Sequence, residues 1–128
     1  MPMNFNYLGD CYHIALALHR LGKAPLCILY GERDSEDGIE YILIHMGVLF
    51  QGNFYDELGN QGEPRQLLKE FKNINDSYAF SDIYEIDSES DPHLNDIFNK
   101  THATISPEKI DKFMEWVTNN KEKFPFIK

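Results

Sequence analysis

Cysteine and histidine supply the reactive side chains of this chain, two of one and five of the other. Cys11 stands in Gly9-Asp10-Cys11-Tyr12-His13, just ahead of an alanine- and leucine-rich run that ends at Leu21-Gly22. The run predicts a helix from Asp10 to Leu21. Asp10 suits its N-cap, Gly22 suits a left-handed terminating residue, and Pro25 blocks continuation. Ile14, Leu18 and Leu21 form one stripe, and Ala15, Leu16 and Ala17 spread apolarity round the rest, so a well-covered helix is expected. Cys11 would then lie in the first turn, where free N–H groups and the helix dipole favour a thiolate.

A thiolate nucleophile needs a base, and the base needs a group to orient it. His45 lies in the apolar stretch Tyr41-Ile42-Leu43-Ile44-His45-Met46, where an imidazole requires a hydrogen-bond partner. Asp56, in Asn53-Phe54-Tyr55-Asp56-Glu57-Leu58-Gly59, is the expected orienter. The register of the intervening turn decides the pairing. A turn centred on Phe50-Gln51 sets Asp56 opposite His45, whereas a tight turn at Gly52-Asn53 sets Asn60 there. Asp56 is the partner expected.

The remaining candidates are weaker. Cys27 sits mid-strand and reads as core. His13 points away from Cys11 on a helix, to line the site or to face solvent. His19 near the helix end reads as structural, and His93 and His102 have no partner pattern. Cys11, His13 and His45 could gather zinc, but their spacing matches no structural zinc pattern, so no metal and no cofactor are expected. The scattered glycines form no phosphate loop.

These residues need elements to hold them. Pro25–Tyr30 reads as a buried strand, Gly31–Gly38 as a charged turn, and Ile39–Phe50 as a second strand. Phe54–Asp56 starts a third, and Gly59–Gly62 is a loop. Glu63–Lys72 has helical spacing, and Tyr78–Ile86 is strand-like, most clearly from Asp82. Asp91-Pro92 and Ser106-Pro107 each cap a helix, the first carrying Leu94, Ile97 and Phe98, the second Ile110, Phe113, Met114 and Val117. Trp116 and Phe124-Pro125-Phe126-Ile127 are expected to dock on the body, and Phe5, Tyr7 and Leu8 to anchor the lead-in.

The 128 residues suit one α+β domain, 1–128, built on an antiparallel sheet. A net charge of −9 argues against direct nucleic-acid binding, because phosphate contacts need lysine and arginine. It permits a basic protein or peptide partner. With no membrane-length apolar run and no signal pattern, a cytoplasmic protein off the membrane is expected.

Gly-Asp-Cys opening a helix, a strand histidine, then Asp56 followed three residues later by Gly59 resembles the papain-like cysteine fold. The nearest branches are the transglutaminase-like and arylamine N-acetyltransferase-like proteins. The resemblance covers about Tyr7 to Gly59. It implies a Cys11–His45–Asp56 triad acting on an amide, ester or thioester, as a hydrolase, deamidase or acyltransferase. It departs from the papain-like pattern in two respects: no glutamine precedes Cys11, Asn4 and Asn6 being the only nearby amides, and the strand register leaves both Asp56 and Asn60 open as the partner of His45. The alternative is a non-catalytic acidic protein-binding module or inhibitor on the same fold, with Glu32–Asp37 and Asp87–Asp91 as its acidic faces. The two differ in one demand: only the enzyme needs Cys11 and His45 on the same side of the sheet.

Overall fold

The computed structural model describes residues 7–74 and 78–128. The elements run α1 (Tyr7–Gly22), β1 (Leu26–Ser35), β2 (Gly38–Phe50), β3 (Asn53–Asp56), β4 (Gly59–Asn60), α2 (Pro64–Ile74), β5 (Phe80–Ile86), α3 (Pro92–Lys100) and α4 (Pro107–Asn119). The strands form one antiparallel sheet in the order β4-β3-β2-β1-β5. The fold is α+β. Among the described residues no helix is long and apolar enough to cross a membrane.

Side-chain alternation divides the sheet into two faces. Leu26, Ile28 and Tyr30 of β1, with Met46 and Val48 of β2, pack against Ile14, Ala15 and Leu18 of α1. Leu94, Ile97 and Phe98 of α3 and Ile110, Phe113 and Val117 of α4 complete that layer. Cys27 and Leu29 face the other way with Phe54, against Leu67, Leu68 and Phe71 of α2. The tail docks as expected: Phe124 is fully buried, and the Phe126 ring lies 5.1 Å from that of Tyr55.

Helix α1 starts earlier than Asp10. Tyr7 and Leu8 extend the apolar spacing of Cys11, Ile14 and Leu18, so the helix continues through Gly9 and Asp10, and Asp10 is not its N-cap. Its end differs too. Lys23, not Gly22, takes the left-handed conformation (φ 61°). Gly22 is glycine for space: a Cβ there would lie 2.4 Å from the Phe126 ring. The two Xaa-Pro caps form as expected. Asp91 accepts from the His93 N–H at 2.9 Å, and Ser106 from the Lys109 N–H at 3.3 Å. The lead-in residues Asn4, Phe5 and Asn6 lie outside the described residues.

The charged stretch after Tyr30 is strand, not turn. β1 and β2 pair out to Ser35 and Gly38 around a two-residue turn at Glu36-Asp37. Charged residues on both faces, Glu32-Arg33-Asp34 on β1 and Glu40 on β2, suit a ribbon that has solvent around it. The β2–β3 turn is Gln51-Gly52, with φ of 52° and 80°, the pair of positive values that tight hairpins require. It pairs Phe50 with Asn53 and Val48 with Tyr55. Gly59–Asn60 is a short fourth strand rather than loop.

Gly47 is where packing is tightest around a missing side chain. A Cβ there would lie 2.3 Å from the Tyr55 carbonyl oxygen and 2.6 Å from the Phe54 ring. The carbonyl is held in the sheet and Phe54 is fully buried, so neither can yield. Gly47→Ala should therefore destabilise by about 2 kcal/mol or more, within the range for an overpacked core. Urea unfolding measures it; a midpoint equal to the parent's would show that the β2–β3 register is not the one described.

Candidate functional site

His45 and Asp56 meet. The His45 Nε2–H donates to Asp56 Oδ2 at 2.8 Å, with both residues buried. The register brings this about diagonally. Continuing the β2–β3 pairing sets Asp56 against Gly47, and His45 lies two residues along on the same face. Gly47, between them in the register, has its side-chain space filled by the Tyr55 carbonyl and the Phe54 ring. Neither anticipated turn gives this register, and Asn60 pairs with Tyr55 instead of lying opposite His45.

The pair is firmly held. Asp56 turns its other oxygen, Oδ1, to the backbone N–H of Leu58 at 2.9 Å. The His45 ring sits between Phe54 and Phe71, with centroids 5.3 Å and 5.7 Å away. These two rings belong to the α2 layer. His45 therefore faces α2.

Cys11 faces the opposite layer. It belongs to the cluster of Ile14, Ile28 and Met46 beneath α1. The sheet lies between its sulfur and the His45 ring, so the structure unites two residues of the expected triad and leaves the third apart. The reason is one residue of register. From the hairpin turn inward, β1 and β2 pair plainly as far as Tyr30 with Leu43. The next pair is Leu29 with His45, so Ile44 is an extra residue, a β-bulge. Plain alternation would have put His45 beside Leu43 on the α1 side. The bulge turns it over.

The early start of α1 removes the second premise for Cys11. It is the fifth helical residue, beyond the first turn in which free N–H groups and the dipole act on a thiol. It borders a cavity of about 240 Å³ lined by Tyr12, Glu40, Tyr41 and His102 among others. His102, at φ 60°, is the histidine that shares this cavity. Cys27 is core, as expected. Burial, with Glu85 adding to it, pushes its thiol up to about 12.

No family model, no curated protein and no solved structure matches this chain. Chemistry here has to be read from the side chains themselves.

Two residues take places that their sequence context did not announce. His13 neither lines a site with Cys11 nor faces solvent. It is buried, and its Nε2 accepts the Ser106 N–H at 2.9 Å, which fastens the start of α4 to α1. Glu57 is the second. It lies in the β3–β4 turn, only 2 % exposed, while its neighbour Leu58 is 61 % exposed. One ligand atom each from His45, Asp56 and Glu57 lie within 4.8 Å of one another. The signal was faint: an acid beside Asp56 in a turn reads as solvated unless the Asp56–Leu58 bond, which rolls the turn over, is known.

Iodoacetamide should label Cys11 of the native protein at least tenfold faster than Cys27, because Cys11 borders a cavity and Cys27 is enclosed with its thiol held neutral. Equal rates by peptide mass spectrometry would contradict these placements.

Alkaline stability depends on the same burial. Tyr30 is also pushed up to about 12, by burial first and then by Glu32, Tyr84, Tyr41 and Asp96. An unfolded chain loses these protons at ordinary values, about 8.5 for thiol and about 10 for phenol. Above those values the native state holds more protons than the unfolded state, so stability falls as pH rises toward 12. The urea midpoint should hold to about pH 8 and decline beyond it, and Cys27→Val should flatten the first part of the decline. A midpoint independent of pH up to 10.5 would refute this.

Proposed function

We propose that this chain is a non-catalytic protein-binding module that takes a basic partner on the outer half of its β1–β2 hairpin. The observation that carries it is the separation of Cys11 from His45 by the sheet. A papain-like cysteine hydrolase, deamidase or acyltransferase needs thiolate and imidazole in one site, in hydrogen-bond reach. A binding module needs only an ordered surface of suitable chemistry.

The hairpin offers such a surface. Glu32, Asp34, Glu36 and Asp37 stand on it, the last three exposed. Register sets Phe80, Glu32 and Tyr41 in one row across β5, β1 and β2, with Asp34 and Ile39 in a neighbouring row on the same face. Phe80 is 45 % and Ile39 54 % exposed. Apolar groups with acids around them suit a lysine- or arginine-bearing segment, whose stems cover the rings while its charges meet the carboxylates. Tyr41 already carries one cation of this chain: the Lys100 Nζ lies 5.4 Å from its ring centroid. The 87–91 loop is a poorer candidate, because Arg20 takes up Glu89 in a paired contact at 2.8 and 3.0 Å.

The test is a bead-displayed peptide library rich in lysine and arginine, screened against the native chain. Selected peptides should lose at least tenfold in affinity on Glu32→Gln/Asp34→Asn/Glu36→Gln/Asp37→Asn, with a shallower salt dependence and an unchanged thermal midpoint. Peptides that bind the neutralised hairpin equally well would overturn the proposal.

A further inference from the structure

The geometry points to a buried site for a divalent transition-metal ion, held by His45, Asp56 and Glu57. All three side chains are buried, at 2 %, 3 % and 2 % exposure, and their ligand atoms lie within 4.8 Å of one another. One imidazole nitrogen and two carboxylate oxygens are the donor set. Imidazole selects zinc, iron or their neighbours over magnesium and calcium, which take oxygen alone. Zinc binds both donor types at about 2.0–2.2 Å. The Nε2–Oδ2 separation of 2.8 Å is an edge that a coordination shell can span after a small opening. In a tetrahedral shell that edge is roughly 3.3 Å, so the shift is about half an ångström.

Three features beyond proximity support it. First, two carboxylates and an imidazole share a layer otherwise made of Cys27, Leu29, Phe54 and Leu68. Two carboxyl groups and an imidazole gathered away from water are a donor set that a dication can take up as a unit. Second, the β3–β4 turn inverts the usual order, with Glu57 inside and Leu58 outside. The Asp56 Oδ1 bond to the Leu58 N–H fixes that inversion and at the same time aims Oδ2 at His45. A ligating carboxylate is commonly held this way by a backbone donor. Third, Phe54 and Phe71 wall the imidazole and fix its plane. Binding through Nε2 requires the proton now donated to Asp56 to move to Nδ1, giving the other neutral tautomer. The ion takes its place between the two residues.

The site is independent of the hairpin surface, and its failure leaves the binding module standing. The experiment uses the purified 128-residue chain, stripped with a chelator and titrated with Zn²⁺ by calorimetry, then loaded with Co²⁺ for visible spectroscopy. One ion per chain is expected, with a raised thermal midpoint and no sulfur-to-cobalt charge-transfer band. Glu57→Gln, which keeps the shape of the turn, should weaken zinc binding by at least tenfold to a hundredfold, no less than the loss of an outer-shell partner. His45→Gln should do the same. Circular dichroism of the stripped variants separates lost binding from lost fold, and where one variant unfolds, the other and the cobalt spectrum of the parent decide. No stoichiometric binding by the parent, a cobalt–sulfur band, or equal affinity in folded Glu57→Gln would each overturn the site.

Discussion

The extra residue at Ile44 decides which side of this sheet each later side chain of β2 sees. Strands alternate with a period of two, so one inserted residue exchanges the faces of everything beyond it. Before the bulge, Tyr41 and Leu43 serve the α1 layer. After it, Met46 and Val48 serve that layer and His45 turns to α2. Without the insertion Met46 and Val48 would leave the larger core, and His45 would enter it. The bulge thus fits an apolar alternation that changes phase in mid-strand, Tyr41-Leu43 on one side of Ile44 and Met46-Val48 on the other.

The phase change creates a polar island within an apolar layer. An imidazole in contact with Phe54 and Phe71 is tolerable only with a partner, and Asp56 is placed to be one by a second register. The two-residue turn at Gln51-Gly52 sets that register, and Gly47 lets the Tyr55 carbonyl and the Phe54 ring close in on β2. Bulge and turn are separate local choices of sequence that agree on one contact. Such agreement between levels marks a feature that the fold specifies.

The sequence made the elements legible where the pattern was local. The α+β class, the two Xaa-Pro caps, the long second strand and the core role of Cys27 could all be read from spacing and capping chemistry. The pairing of His45 with Asp56 was legible from chemistry, because a histidine in an apolar strand demands a partner, but not from register. The side of the sheet was hidden. Nothing in Ile42-Leu43-Ile44-His45 announces a bulge, since every residue there but His45 is apolar and fits either face. The start of α1 was misplaced for a related reason. Asp10 is a good cap by composition, but a local cap preference of about 1 kcal/mol does not fix a helix start where the residues before it continue the helical spacing. Glu57 was invisible because its burial depends on a turn rolled over by its neighbour's side chain.

The excess of acids, 21 against 12 basic residues, takes on two meanings once the faces are known. On the hairpin, Asp34, Glu36 and Asp37 stand in water, where each charge is screened within about 8 Å at physiological salt and acts on a partner's approach more than on the fold. Inside the α2 layer the same chemistry is far more consequential. Asp56 and Glu57 adjoin a histidine in surroundings of low polarity, where a charge either finds compensation or is given up. These three hairpin acids can be exchanged for amides at little cost to stability, since among the described residues no hydrogen bond or ion pair rests on them. The interior pair cannot, because Asp56 holds both His45 and the Leu58 N–H, and through that N–H the turn that carries Glu57. Composition alone treats these acids as equals; the fold separates those that face water from those that hold an interior turn in place.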